Sequence, residues 1–302
     1  MEQNKNNPEK KVLTPTNVIP NTSNNTSKNE FVPIADSSSI AAKDSNFVFF
    51  FGNASTGKSV ILASMLYHMN AIAGTIRPKH STPNTREAEV LLFDLLDEIK
   101  RGKLPSRTTK DVVTRIDLIF EPNNKSKKVK PIDLTFLEMA GDNHVEVRRG
   151  GTYHRSIEEY LNADIPLNFI LVTDYDNASD DDSLMFSFLN ELERKGRNFK
   201  SVNAILVVAK WDKSGSMGVS STDQLDDFIS ERMPMTNQRI NNYSLYKTFY
   251  TVGNVVSNDD GDERLNQLSL STAKVLTDWL YQSIAGIDLN YEGTFWERLF
   301  GK

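Results

Sequence analysis

The chain has 302 residues, 38% of them hydrophobic and 25% charged, with a formal net charge of −5. That balance supports a real apolar core and weighs against bulk attraction to nucleic acid or anionic lipid, leaving open only a local basic patch. There is no cysteine, which excludes disulfides, thiolate catalysis and cysteine-ligated metals, and 4 scattered histidines argue against a zinc site.

Residues 1–45 are rich in Asn, Ser, Thr and Pro, with Phe31 their one aromatic. They cannot bury enough apolar surface to offset ordering entropy, so a disordered tail is expected, acting as a linker or a partner-binding tether. The opening MEQNKNNPEKK has no apolar core of the kind a secretory signal needs. No apolar run approaches the roughly 18 residues of a membrane span. The expected location is the cytoplasm.

From Asn46 the pattern changes. NFVFFFG reads as a buried strand, with no alternation and a glycine stop. GKSVILASMLYHMNAIAG follows with helical spacing and ends in a glycine. NTREAEVLLFDLLDEIKRG is an amphipathic helix, capped by Asn84 or Thr85, with Ala88, Leu91, Leu92, Leu95, Leu96 and Ile99 on one face. DVVTRIDLIF and PIDLTFLEM are strands joined through EPNNKSKKVK, which predicts an antiparallel hairpin with a solvated lysine turn.

Beyond them, IPLNFILVTD (strand), DSLMFSFLNELERKG (helix), SVNAILVVAKWD (strand), TDQLDDFISERM (helix), YKTFYTVGN (strand) and LSTAKVLTDWLYQSIAG (helix) alternate to the end. Strands alternating with helices predict an α/β three-layer sandwich, its sheet mostly parallel with one antiparallel hairpin strand. The acidic run TDYDNASDDDS does not fit a calcium loop, and capping of the following helix by Asp182 explains most of it. The predicted divisions are a tail at 1–45, a P-loop domain at 46–288 with a helical insertion at about 75–107, and an aromatic tail at 289–302.

Gly52-Asn53-Ala54-Ser55-Thr56-Gly57-Lys58-Ser59 fits the P-loop pattern G-x-x-x-x-G-K-[ST] between a strand and a helix, which is the context the motif requires. Gly52 and Gly57 permit the tight turn and let backbone N–H groups point at phosphate oxygens. The helix N-terminus adds positive partial charge at the same place. Lys58 supplies a cation for the β- and γ-phosphates, and the Ser59 hydroxyl a ligand for Mg²⁺.

Downstream, TFLEMAGDNH ends a strand in Glu138-Met139-Ala140-Gly141. VVAKWDK ends the later strand in Ala209-Lys210-Trp211-Asp212, and FYTVGNV follows. In this order these elements resemble the GTPase domain of the Ras-like, translation-factor-related class of P-loop proteins, of a divergent bacterial type, over residues 46–285. The resemblance implies GTP or GDP with Mg²⁺ as cofactors. It implies Glu138 near the metal, together with Ser59 and Thr108. It implies Gly141 N–H on the γ-phosphate. Asp212 would accept from guanine N1–H and the 2-amino group, with Lys210 along the purine ring and Val252 and Gly253 in the short base-contacting loop. An adenine offers neither donor, so the carboxylate would stand unpaired against ATP.

Three departures from that pattern stand out: Glu138 for Asp, Ala209 for a polar residue, and Asp142 where Ras-like enzymes have the water-orienting Gln. Slow hydrolysis is therefore expected, with Asp142 or His144 orienting water. Thr108 is preferred over Thr109 as the switch I threonine, and Arg148, Arg149 and Arg155 are further charge-neutralising candidates. The expected function is a guanine-nucleotide switch acting through a protein partner, by its switch regions or its C-terminal tail of Tyr291, Phe295, Trp296, Leu299 and Phe300. An ATPase, or a nucleotide-binding module without turnover, stands as the alternative.

Overall fold

The computed structural model describes residues 45–79, 85–106, 113–139, 141, 153, 155–163, 165–197, 202–215, 222–257 and 263–292. All of them belong to one unit, Pro33–Lys302.

The chain begins with β1 (Asn46–Phe51), followed by helix α1 (Lys58–His68), a π-turn (Met69–Ala73) and β2 (Gly74–Pro78). Helix α2 (Thr85–Lys100), strands β3 (Val113–Pro122) and β4 (Ile132–Met139), and helix α3 (Arg155–Asn162) come next. Then follow β5 (Leu167–Asp174), α4 (Ala178–Arg194), β6 (Val202–Ala209) and a 3₁₀ turn (Trp211–Ser214). Helices α5 (Thr222–Arg232) and α6 (Pro234–Tyr243), strands β7 (Tyr246–Phe249), β8 (Gly253–Ser257) and β9 (Glu263–Leu268), and helix α7 (Ser271–Ala285) complete it.

Seven strands form one sheet in the order β2-β3-β4-β1-β5-β6-β7. The pairs β1–β4, β1–β5, β5–β6 and β6–β7 are parallel, while β3 runs antiparallel to both β2 and β4. The apolar run of β1 lacks alternation because both faces are covered. Val48 and Phe50 join a core with α1, α2 and α7, and Phe47, Phe49 and Phe51 join a second core with α3 to α6. This is the three-layer α/β fold of P-loop proteins. Strand β1 is the point where the chain's crossovers change side, which in open α/β sheets is where ligands bind, at the carboxyl ends of the strands.

Helix α2 forms where the sequence placed it, burying Leu92, Leu95 and Ile99 of the expected face in the first core while exposing Val90 and Phe93. Other elements were not anticipated: strand β2 lies inside the stretch expected to be a helical insertion. The β8–β9 hairpin and helix α6 carry no strong periodicity in the sequence. At the far end, Leu289 is buried and Asn124 Nδ2 donates to the carbonyls of Leu289 (2.8 Å) and Tyr291 (3.0 Å), so packing continues past the expected boundary at 288. At the near end, Ser45 is buried, with its hydroxyl 2.6 Å from that of Thr135. Among the described residues no helix is long and apolar enough to cross a membrane.

The capping expectation for Asp182 needs correction. Its own helix starts at Ala178, so Asp182 lies inside α4 and is buried. Its carboxylate accepts instead from the backbone N–H groups of Met235 (3.1 Å) and Thr236 (2.8 Å), at the start of α6. Pro234 opens that helix, where a missing N–H costs nothing, and the buried acid serves the next two donors.

Candidate functional site: a nucleotide-sized cavity over the phosphate loop

The loop from Gly52 to Gly57 leaves β1 under tight steric control. A Cβ on Gly52 would sit 2.0 Å from the carbonyl oxygen of Val172 in β5, so only glycine lets the chain pass that strand. Gly57 has φ +95°, and even Ser55 adopts φ +63°, a region L-residues rarely occupy. Lys58 Nζ donates back across the loop to the carbonyls of Gly52 (3.1 Å) and Asn53 (2.7 Å), while Thr56 Oγ1 donates to Asn53 O (3.0 Å). The cation thus spans the hollow that the motif would use for phosphate. Behind the loop, Asn53 Nδ2 donates to the buried carboxylate of Asp181, which also accepts from Thr173 Oγ1 at 2.7 Å. Gly52, Asn53 and Thr56 therefore brace the loop, whereas Ala54, Ser55, Gly57, Lys58 and Ser59 face the cavity.

Alternation along β4 places Glu138 on the same face as Leu134 and Phe136, toward the start of α1. There Ser59 Oγ donates to Glu138 Oε1 at 2.6 Å. A hydroxyl and a carboxylate in contact at the edge of the Gly52–Ser59 loop are hard oxygen donors. They fit Mg²⁺, which takes few protein ligands and completes its shell with phosphate oxygens and water. Gly141 is buried against the loop. A Cβ there would lie 1.9 Å from Ala54 N and 2.0 Å from Asn53 C.

The other wall is built at the end of β6. Parallel register sets Asp174 of β5 beside Ala209, so the acid reaches the next residue, and Lys210 Nζ bonds Asp174 Oδ2 at 2.8 Å. Burial alone would raise the Asp174 carboxyl. Hydrogen bonds from Lys210 and Asn177 outweigh it and hold the group below its ordinary range. Lys210 itself has φ +54° and begins the 3₁₀ turn. Trp211 anchors that turn, its ring 5.6 Å from Tyr175, 5.3 Å from Phe228 and 5.7 Å from Phe249. Asp212 Oδ1 accepts from Thr251 Oγ1 at 3.3 Å, and Thr251 O accepts from Thr272 Oγ1 at 2.7 Å. Ala209 Cβ lies 3.8 Å from where a Gly57 Cβ would stand, so the methyl of Ala209 faces the loop at Gly57.

These parts share one cavity of about 510 Å³, within the usual range for small-molecule sites. It joins Lys58, Ser59, Glu138 and Gly141 to Ala209, Lys210, Asp212 and Val252. Gly253 does not line it: at φ +123° it opens β8, where a Cβ would meet Gln267 O at 2.0 Å. Thr108, Thr109, Asp142, His144, Arg148 and Arg149 lie outside the described residues, as do the aromatics of the tail beyond Glu292; Arg155 opens α3.

The sequence reading missed other lining residues: Leu104, Pro105 and Ser106 after α2, Tyr250, and Val255 and Glu263 of the hairpin. Tyr250 is recoverable, since it directly precedes the stretch expected to contact a base; its hydroxyl bonds Ser64, and burial pushes its phenol up. Asp174 is recoverable too, as the terminal acid of a strand neighbouring β6. Glu263 has no local signal.

No family model and no curated protein matches the sequence. Among solved structures, the chain is similar to the GTPase-like domain of Ski7 from S. cerevisiae, bound to GDP and inorganic phosphate. Identity there is 18% and the TM-score 0.38, over 71% of this chain and 44% of that one. It is also similar to Toc33 from Arabidopsis thaliana in complex with Mg²⁺ and GMPPNP, at 13% identity and TM-score 0.36, over 80% and 87% of the two chains. The chain thus spans less than half the length of the Ski7 chain it matches. Similarity at this level says nothing about what the present site binds.

Proposed function

We propose that this chain is a guanine-nucleotide-binding switch of the Ras-like, translation-factor-related class, hydrolysing GTP slowly and acting through a protein partner. The observation that carries the reading is the single cavity joining Lys58 and Ser59 to Lys210 and Asp212. A phosphate chain at one end and a purine at the other would satisfy both sets of groups together.

In this reading the loop N–H groups and the α1 N-terminus take the phosphates. Lys58 exchanges its carbonyl partners for β- and γ-phosphate oxygens. Ser59 and Glu138 hold Mg²⁺, which when bound neutralises phosphate charge. Gly141 donates its N–H to the γ-phosphate. Asp212, held by Thr251, accepts from the two guanine donors, and Lys210, braced by Asp174, lies along the ring. Asp142 or His144 orients water, and Thr108 completes the metal site. Output passes through the switch segments or the aromatic tail, with the folded domain running from residue 46 past 288.

Paired titrations with GDP, GTP, ADP and ATP test the reading. The expected result is binding of guanine nucleotides at least tenfold tighter than adenine ones, because a carboxylate covered by the base and left unmatched costs on the order of 1–3 kcal/mol. Equal or tighter adenine binding overturns it. Single-turnover phosphate release separates a slow GTPase from a module that binds without turnover. The second reading is favoured by one observation, that the side chain facing Gly57 from the end of β6 is the methyl of Ala209, which offers no polar tie between the two loops.

A further inference from the structure

The β8–β9 hairpin sits between the last strand of the sheet and α7, and nothing in the proposed mechanism uses it. It is nevertheless built into the cavity wall from both sides. At its base, Ser269 N donates to Val252 O at 2.9 Å, and Thr251 Oγ1 accepts from Gly253 N at 3.3 Å, so the hairpin is continuous with the residues that hold Asp212. Across the cavity, Leu265 N donates to Gly102 O at 2.9 Å and Lys103 bridges Arg264, tying it to the segment that continues into Leu104 and Ser106.

Pairing fixes which side chains face inward. Val255 pairs with Leu265 and Ser257 with Glu263, and directly opposed residues share a face. Leu265 is buried in the core and Val255 packs against it. Glu263, two residues from Leu265, shares its face of the hairpin and lines the cavity at its exposed rim, while Arg264, also exposed, lies on the opposite face and does not line it. Glu263 makes no hydrogen bond or ion pair with a described residue.

A carboxylate at the rim of such a cavity repels phosphate and is suited to the nucleoside end of the ligand. A guanine nucleotide has few hydrogen-bond donors: the base N1–H and 2-amino group, and the ribose hydroxyls. The proposed role of Asp212 uses both base donors. We infer that Glu263 of the inserted hairpin accepts from the ribose hydroxyls, so that the hairpin makes the site select ribonucleotides over deoxyribonucleotides. The chemistry is that of a carboxylate on a ribose diol in dinucleotide sites, supplied here by a different element. The inference rests on the proposed guanine-nucleotide reading.

The test is equilibrium binding of GDP, 2′-deoxy-GDP and 3′-deoxy-GDP to the full chain and to its Glu263→Ala, Glu263→Gln and Arg264→Ala variants, each checked by thermal melt. The wild type and Arg264→Ala are expected to favour GDP over at least one deoxy form by roughly tenfold or more, the worth of a hydrogen bond to a charged group. In Glu263→Ala the GDP affinity should drop to that of the deoxy form, bringing the ratio within about twofold, and Glu263→Gln should fall between. A wild type that binds GDP without preferring it, or an unchanged ratio in Glu263→Ala, overturns the inference and leaves the nucleotide reading standing. A wild type that binds none of the three overturns both.

Discussion

Replacing Gly141 by alanine tests the link between the end of β4 and the phosphate loop. The added Cβ would stand 1.9 Å from Ala54 N, 2.0 Å from Asn53 C and 2.6 Å from Ala54 Cα. Ordinary contact begins at about 3.4 Å, so loop and strand end must part by about 1.5 Å. The obstructing atoms are backbone, and Gly52 already pins the loop against Val172, so no flexible side chain can absorb the change. Overpacking of this kind costs about 1–3 kcal/mol. It should lower the melting temperature of a domain this size by roughly 2–12 °C. Displacing the loop by an ångström or more should also weaken phosphate contacts, on the order of a hundredfold where geometry is critical.

If the Gly141 N–H reads the γ-phosphate, GTP should suffer more than GDP. Fluorescent-nucleotide titrations of wild type and Gly141→Ala, paired with thermal melts, measure both effects. A variant with wild-type stability and both affinities within twofold of wild type would refute the reasoning.

Asp212→Asn should cost GTP roughly a hundredfold and make the xanthine nucleotide the better ligand, since an amide can donate where the carboxylate could only accept; an unchanged preference counts against the guanine role. Asp182→Ala removes both acceptors at the start of α6 and should cost about 2–4 kcal/mol in urea denaturation, while a loss under about 0.5 kcal/mol would contradict the capping geometry. Burial holds the His68 imidazole below its usual value, against the pull of the Asp278 carboxylate and with a smaller contribution from Lys274. The folded state therefore disfavours the proton, so this contribution is full above about pH 6.5 and lost as pH falls through the lower folded value. Stability should decline between pH 7 and pH 5 by urea denaturation, and His68→Gln should flatten that decline; an identical slope in the variant excludes His68 as its source.

Much of the site was legible because its requirements are local. The turn from Gly52 to Ser59 needs glycines, a lysine and a hydroxyl at fixed spacing on contiguous backbone, and the unbroken apolar run of β1 announces a strand covered on both faces. The same holds for Ala209 to Asp212 at the end of β6. The hairpin strand in an otherwise parallel sheet was legible from two extended runs and a polar turn.

Tertiary structure decided the rest, because the partners are distant in the chain and no spacing encodes them. Asp182 looked like a cap for its own helix, yet it serves α6, 53 and 54 residues away. Asp181 braces Asn53 across 128 residues. The β8–β9 hairpin has a mixed, mostly polar pattern, since one face meets solvent and its inner face is short. Its register brings Glu263 to the cavity, and that register depends on cross-strand pairing and on the bond to Gly102. The sequence by itself marked the Gly52–Ser59 turn and fixed its strand-to-helix setting. Only packing decided what stands behind it, and what faces it across the cavity.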